Sequence, residues 1–321
     1  MNRQAGDQGG DQANAWMGGP IAPHRGVVNV LGSTSFLTAL LVYFGYIGTA
    51  ARYEYFGVYL SMVDLSNQEL VLSGLEVVYF PTLVILLVIL VLIGAHAAVL
   101  WLLTSGAREL TWSMAGLIAV AGFLLVGRAL VGILVPAVLD SETPPGKTPL
   151  ALAFGPVLIT YSMWIAGRLR MARASEPAKS STFTRWYNMR SVRTLRRAGV
   201  VSVLGIFIVG VFWASHSFAF VFGAGRGYQD ALHLRDRPEV VLDMRERLQT
   251  LPPGIVEINL GQGSDEGFRY RYRHLRLLIE SGGRLFLIPE PWRRDGSTII
   301  VPYDNNVRIQ LIPAPTTYET P

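Results

Sequence analysis

Three ionisable side chains stand inside the long apolar stretches of this chain: His96, Arg128 and His216. A charge in hydrocarbon is unfavourable by at least about 2.5 kcal/mol on insertion scales, so an intramembrane arginine is by default a candidate ion or ligand site. At 1.5 Å per residue, Arg128 lies about 16 Å from the outer end of its predicted helix, near mid-depth. Thr38, Thr160, Tyr161 and Trp213 fall at similar depth on other stretches, with no carboxylate among them. A cation without a counter-ion attracts an anion, and Arg128, Thr160 and Tyr161 are the candidate ligand or ion residues. The structural alternatives are snorkelling, bonds to carbonyls freed at Pro136 or Pro156, or bonds to the Thr and Tyr hydroxyls as glue between helices. The depth count separates His96 from His216 by a large part of a bilayer, so the two cannot share a metal. His216 falls near the outer end of its stretch, where an interfacial hydrogen bond is the simpler role.

Other chemistry finds little support. The sequence holds no His-Glu-x-x-His, no Gly-x-Ser-x-Gly and no phosphate-loop motif. It contains no cysteine, which excludes disulfides, thiolate metal sites and a Cys nucleophile. "GAGRG", Gly223 to Gly227, follows an apolar stretch rather than a strand and reads as a flexible exit from the bilayer. "GQGSDEG" offers Asp265 and Glu266 as cation ligands, but its composition is that of a polar hairpin loop. Glu54, Asp64, Glu69 and Glu76 form the one carboxylate group an enzyme reading could use; as part of an acidic connection they are more simply a solvated loop. No catalytic residue, metal site or cofactor is assigned.

The elements that must hold these residues are membrane spans. Half of the 321 residues are hydrophobic and only 16% are charged, against about a quarter charged in soluble domains. Five apolar runs reach the roughly 20 helical residues that cross a hydrocarbon core of about 30 Å: Val28 to Ala50, Val77 to Leu103, Trp112 to Leu139, Pro149 to Gly167 and Ala198 to Phe222. Backbone groups in lipid must bond one another, so such runs are helices.

Charge sets the expected orientation. Arg168 to Arg197 carries nine of the 28 Lys and Arg residues and a single acid, Glu176, whereas Ala51 to Glu76 has one Arg against four acids. Short basic loops stay cytoplasmic, which places 168–197 and the N-terminus inside the cell membrane and the C-terminal part outside. Arg185, Arg190, Arg193 and Arg197 form the candidate lipid-headgroup site. The last three follow i, i+3, i+7 spacing, which on a helix lays guanidinium groups on anionic inner-leaflet lipids at about 1 kcal/mol per residue. Nucleic-acid binding is the rejected alternative, because membrane tethering and topology already account for the charge.

The remaining segments fall into place around the spans. Residues 1–27 are rich in Gly, Gln and Asp and read as a disordered cytoplasmic tail. "SNQE", Ser66 to Glu69, has capping-box spacing, which starts a helix near Asn67 that Pro81 redirects or kinks into the second span. Residues 224–312 open with a helix, "GYQDALHLRDR". Short apolar runs follow: "EVVLDM", "GIVEINL", "FRYRYR", "LRLLIE", "RLFLIP", "STIIVP" and "VRIQLI", separated by Gly, Pro and Asp turns. "LRLLIESGGRLFLIP" is the best hairpin, and residues 313–321 read as a frayed end. Gly45, Gly48 and Gly122 mark close helix contacts.

"YFGVYLSMVDLSNQELVLSG" and "YRYRHLRLLIESGGRLFLIP" resemble uncharacterised multi-pass membrane proteins of actinobacteria. The resemblance covers about residues 30 to 312 and implies no activity, cofactor or site residues. The sequence thus predicts a mainly α membrane protein: a five-helix bundle over 28–223, followed by a small antiparallel α+β domain over 224–312. The expected function is display of that domain outside the membrane for a ligand or partner, without catalysis. The alternative is an oligomeric channel or transporter with an anion path at Arg128. The expected partners are the bilayer, anionic headgroups, an unidentified outer ligand and, in the oligomeric form, further copies of the chain.

Overall fold

The computed structural model describes residues 25–135, 146–174, 190–261, 267–293 and 295–313. They form five α-helices, α1 (Arg25–Glu54), α2 (Asn67–Thr104), α3 (Arg108–Leu134), α4 (Lys147–Ala174) and α5 (Arg190–Leu232), and six strands, β1 (Glu239–Met244), β2 (Val256–Asn259), β3 (Tyr270–Ser281), β4 (Arg284–Pro289), β5 (Ile299–Pro302) and β6 (Val307–Ile312). All five helices are long and apolar enough to cross a membrane, as a multi-pass membrane protein requires. The chain divides into residues 1–40 and 41–321. In the first unit the described residues are opening turns of α1, where the Thr38 hydroxyl donates to the Thr34 carbonyl.

In the second unit the helices meet through small residues. A Cβ on Gly45 would strike the Leu70 carbonyl, and one on Gly74 the Leu41 carbonyl, so α1 and α2 cross backbone to backbone. Gly223 of α5 faces the Gly48 carbonyl of α1, and Gly227 faces that of Arg52. Gly122 of α3 meets Gly155 and Ile159 of α4, and Gly210 of α5 meets Ala153. Packing of this kind supplies the van der Waals contact that holds helices together where lipid removes the hydrophobic drive. Glycines 223 and 227 are therefore packed helix residues, and "GAGRG" is not a flexible exit. The α5 helix passes through it unbroken and absorbs the predicted "GYQDALHLRDR" helix.

The expected capping box starts α2: the Ser66 backbone N–H donates to Glu69 at 2.7 Å and the Glu69 N–H to the Ser66 hydroxyl at 3.3 Å. The helix continues through Pro81 to Thr104. From Thr82 to Ala98 every α2 residue is exposed, a run of large aliphatic side chains suited to lipid contact. Past that stretch, Val99 of α2, Ala115 of α3, and Ile165 and Leu169 of α4 share a buried cluster.

The six strands form one antiparallel sheet of order β5-β4-β3-β1-β6, with β2 paired to the first half of β3. The two predicted strands "FRYRYR" and "LRLLIE" are one strand, β3, twelve residues long. The division expected between them is His274, whose φ of 64° marks an irregularity within the strand rather than its end. The predicted Ser-Gly-Gly hairpin joins β3 to β4, with Gly282 and Gly283 both at positive φ, as a two-residue turn of this hand requires.

Each sheet face buries its own cluster. On the near face, Leu278, Phe286 and Ile288 pack with Phe56, Val58, Leu60 and Val63 of the α1–α2 connection and with Leu234 beyond α5. On the far face, Val240, Leu242, Tyr272, Leu275 and Leu287 form the second core, closed by a hydrogen bond from the Leu248 N–H to the Tyr272 hydroxyl. The near-face core ties the sheet to the helices. It also receives a 2.6 Å bond from the Thr298 hydroxyl to the Phe56 carbonyl and a 2.7 Å bond from the Asp64 N–H to Ser281.

A candidate intramembrane arginine site

Arg128 lies six residues before the end of α3, about 9 Å along the axis. It is nearer that end than the sequence count placed it, because the helix stops at Leu134 rather than Leu139. Its Nη2 is buried and, among the described residues, has no hydrogen-bond partner. A buried unpaired donor costs roughly 1–3 kcal/mol, more when charged, which makes this atom the strongest pointer to a ligand in the helical region.

The structure does not bring Thr160 and Tyr161 to it. Helices α3 and α4 run antiparallel, with Gly122 beside Ile159 and Val126 beside Gly155. Arg128 therefore lies past Gly155 toward the start of α4, while Thr160 and Tyr161 lie the other way. Both hydroxyls are engaged elsewhere. Thr160 donates to the Pro156 carbonyl at 2.8 Å, and Tyr161 shares a 2.8 Å hydrogen bond with His96 Nδ1. Pro156 sits inside α4 and has no N–H to give the carbonyl of Leu152. A freed acceptor and an unsatisfied guanidinium donor thus occupy the same level of the α3–α4 pair.

The two membrane histidines serve separate helix contacts. His96 and Tyr161 are joined by the indole of Trp164, which stacks on Tyr161 and carries the Arg168 guanidinium 5.3 Å above its ring. His216 Nδ1 and the Tyr43 hydroxyl lie 3.0 Å apart, with Phe212 stacked on Tyr43. No group of three His, Asp or Glu side chains able to hold a metal occurs among the described residues. The acids of the α1–α2 connection are likewise dispersed: Glu69 caps α2 and Glu76 pairs with Arg226. Asp265 and Glu266 lie outside the described residues.

No known protein family, curated protein or solved structure matches the chain.

Geometry therefore carries the reading, and most of the remaining charge is in the sheet. Asp243, 3% exposed, is gripped by Arg271 at 2.7 and 3.0 Å and by Arg308 at 2.7 Å, an ion-pair ladder across β3, β1 and β6. Burial alone would push its carboxyl up, but the two guanidinium groups hold it below the usual carboxylate range. Glu290 is depressed in the same way, its burial outweighed by Arg276 and Arg235. The sequence reading missed this ladder, because alternating Arg in "FRYRYR" shows a polar face without showing which acid it meets. Of the predicted headgroup residues, Arg190, Arg193 and Arg197 lie in the first turns of α5, with Arg197 exposed, and Arg185 lies outside the described residues.

Proposed function

We propose that the chain is an integral membrane receptor-like protein that presents its antiparallel sheet outside the cell and couples it to the basic segment inside. One observation carries this reading: the sheet's near-face core is built jointly from strand residues and from Phe56, Val58, Leu60 and Val63 of the α1–α2 connection. A merely tethered module would leave that face to itself. The stalk beneath is held by charge as well, since Asp230 of α5 takes Arg52 of α1 at 2.6 Å and Arg237 at 3.2 Å. Arg190, Arg193 and Arg197, in the first turns of α5, are set to meet anionic inner-leaflet headgroups, and α5 runs from them to Leu232, a short connection before β1.

Single cysteines at Ser181 and Asn305 of this cysteine-free chain test the orientation. Labelling of intact cells by a membrane-impermeant maleimide at position 305 but not 181 is the expected result. The reverse pattern would make the sheet a cytoplasmic partner-binding element.

A second reading is favoured by the unsatisfied Nη2 of Arg128: an anion path through the helices in an oligomer. Liposome flux decides it. Absence of anion conductance, or conductance unchanged in Arg128→Gln, removes it.

A further inference from the structure

Helix α2 is held near its two ends and stands clear between them. On the sheet side Gly74 meets the Leu41 carbonyl, Val77 packs at Gly48, and Phe80 stacks on Phe218 of α5 with ring centroids 6.3 Å apart. Toward the other end His96 bonds Tyr161 of α4, and Val99 enters the buried cluster with α3 and α4. A helix packed along its length buries a residue at every third or fourth position. From Thr82 to Ala95 every residue of α2 is exposed. Over about 20 Å of its axis the helix therefore stands off from the other described helices, leaving a window within the hydrocarbon layer.

The sheet-side corner of that window is a concavity of about 70 Å³, walled by Phe44 of α1, Val78, Thr82 and Ile85 of α2, and Ser215 and Phe218 of α5. Its two hydroxyls are turned back on their own helices: Thr82 donates to the Val78 carbonyl at 2.8 Å and Ser215 to that of Val211 at 2.9 Å. Toward the sheet an aromatic column continues the wall. Phe222 stacks on Phe218 at 6.0 Å, and the Arg226 guanidinium lies 5.6 Å from the Phe222 ring. Arg226 pairs there with Glu76, and both side chains are about half exposed. The groove thus leads from hydrocarbon depth to an accessible ion pair without net charge.

We infer that the window between α2 and α5 is a binding site for an acyl chain of a membrane phospholipid, drawn from the leaflet beside the sheet, with its headgroup at the Arg226–Glu76 pair. An unfilled gap forfeits the dispersion contacts of its lining, so the window has an occupant, and three features choose a lipid chain. With both hydroxyls turned away, the side chains of the wall offer an occupant only apolar contact. The window is longer than one leaflet's share, about 15 Å, of the hydrocarbon core, so a chain can lie along it at full extension. Finally, Leu83 to Ile93 consists of Leu, Val and Ile alone. Helices associate in membranes through small residues that let backbones approach, as α1 and α2 do at Gly45 and Gly74. Branched aliphatic side chains instead leave irregular furrows that a flexible chain fills, so a helix of a second copy or of another protein fits the window less well.

The test uses the full chain in vesicles of phosphatidylcholine that carries a photoreactive diazirine in one acyl chain. After extraction into mild detergent, native mass spectrometry counts the lipid retained per chain, and irradiation before extraction maps where the chain lies. The expected result is a retained phosphatidylcholine whose adducts fall on both walls, at 78–85 of α2 and 215–218 of α5. Retention should be lost in Ser215→Phe and in Thr82→Trp, which fill the groove from opposite sides. Thermal melting checks both variants, and Thr82→Trp, at an exposed position, decides the matter if Ser215→Phe melts early. No retained lipid overturns the proposal, as does retention that neither variant lowers, or adducts spread evenly over the exposed faces of α2 and α3. A dimer that survives extraction and keeps adducts off both walls assigns the window to a helix of a second copy, and so also overturns it.

Discussion

His96 Nδ1 on α2 and the Tyr161 hydroxyl on α4 lie 2.8 Å apart and join two helices that are separated by α3 in the sequence. The bond is a polar tie near the end of the exposed stretch Thr82 to Ala98 of α2, just before Val99 enters the buried cluster with α3 and α4. Cross-helix hydrogen bonds in membranes average about 0.6 kcal/mol and reach about 1.7. Tyr161→Phe should cost an amount in that range, and His96→Phe made in that background should cost little more. A double-mutant cycle on detergent unfolding reads the coupling; additive losses would mean the bond contributes nothing.

Glycine packing gives a sharper contrast. A Cβ on Gly223 would collide with the Gly48 carbonyl, whereas Gly225, two residues on, has nothing within 4 Å. Gly223→Ala should therefore destabilise by about 1–3 kcal/mol through overpacking. Gly225→Ala should be neutral or slightly stabilising, since alanine is the better helix former. Equal melting temperatures for the two variants would contradict the α1–α5 contact.

Asp243 predicts a pH response. Its folded carboxyl titrates below the ordinary range, so the stability it contributes is complete at neutral pH and is lost as pH falls through that depressed value. Glu290 adds a loss of the same sign. Asp243→Asn leaves Arg271 and Arg308 facing a neutral amide. Breaking a fully buried pair costs about 3–5 kcal/mol, and partial exposure of both arginines lowers the expectation to about 2 kcal/mol. Thermal melting between pH 7 and pH 3 should fall steeply in the parent and more gently in Asp243→Asn.

The buried Nη2 of Arg128 has no hydrogen-bond partner among the described residues, so Arg128→Leu should not lower stability and should raise it by about 2 kcal/mol as a charge leaves hydrocarbon. A marked loss in melting temperature would instead reveal a structural role.

The joint core is tested by Phe56→Ala. Phe56 is 1% exposed and packs on Trp292 with ring centroids 5.1 Å apart, and such a truncation typically costs about 3–5 kcal/mol. Limited proteolysis should then cut the sheet while the helices survive; unchanged protection would show the two parts to be independent.

The features legible in the sequence were those encoded locally. Five spans follow from apolar length, the Ser66–Glu69 cap from spacing, and the β3–β4 hairpin from Ser-Gly-Gly between two apolar runs. Long-range choices stayed hidden. Glycines at 223 to 227 look like a break until Gly48 and Arg52 are seen to require them. The depth of Arg128 and its separation from Tyr161 depend on where α3 ends and how it registers with α4, and neither is written in residue types. The contribution of Phe56, Val58, Leu60 and Val63 to the sheet core was likewise masked, because an aromatic-rich connection between spans reads equally well as a membrane-interface loop.

Helix α5 runs 43 residues without interruption from Arg190 to Leu232, about 64 Å of rod at 1.5 Å per residue. A helix of this kind has no joint at which torque can leak away. A displacement at its Leu232 end is carried along the helix axis rather than absorbed at a kink.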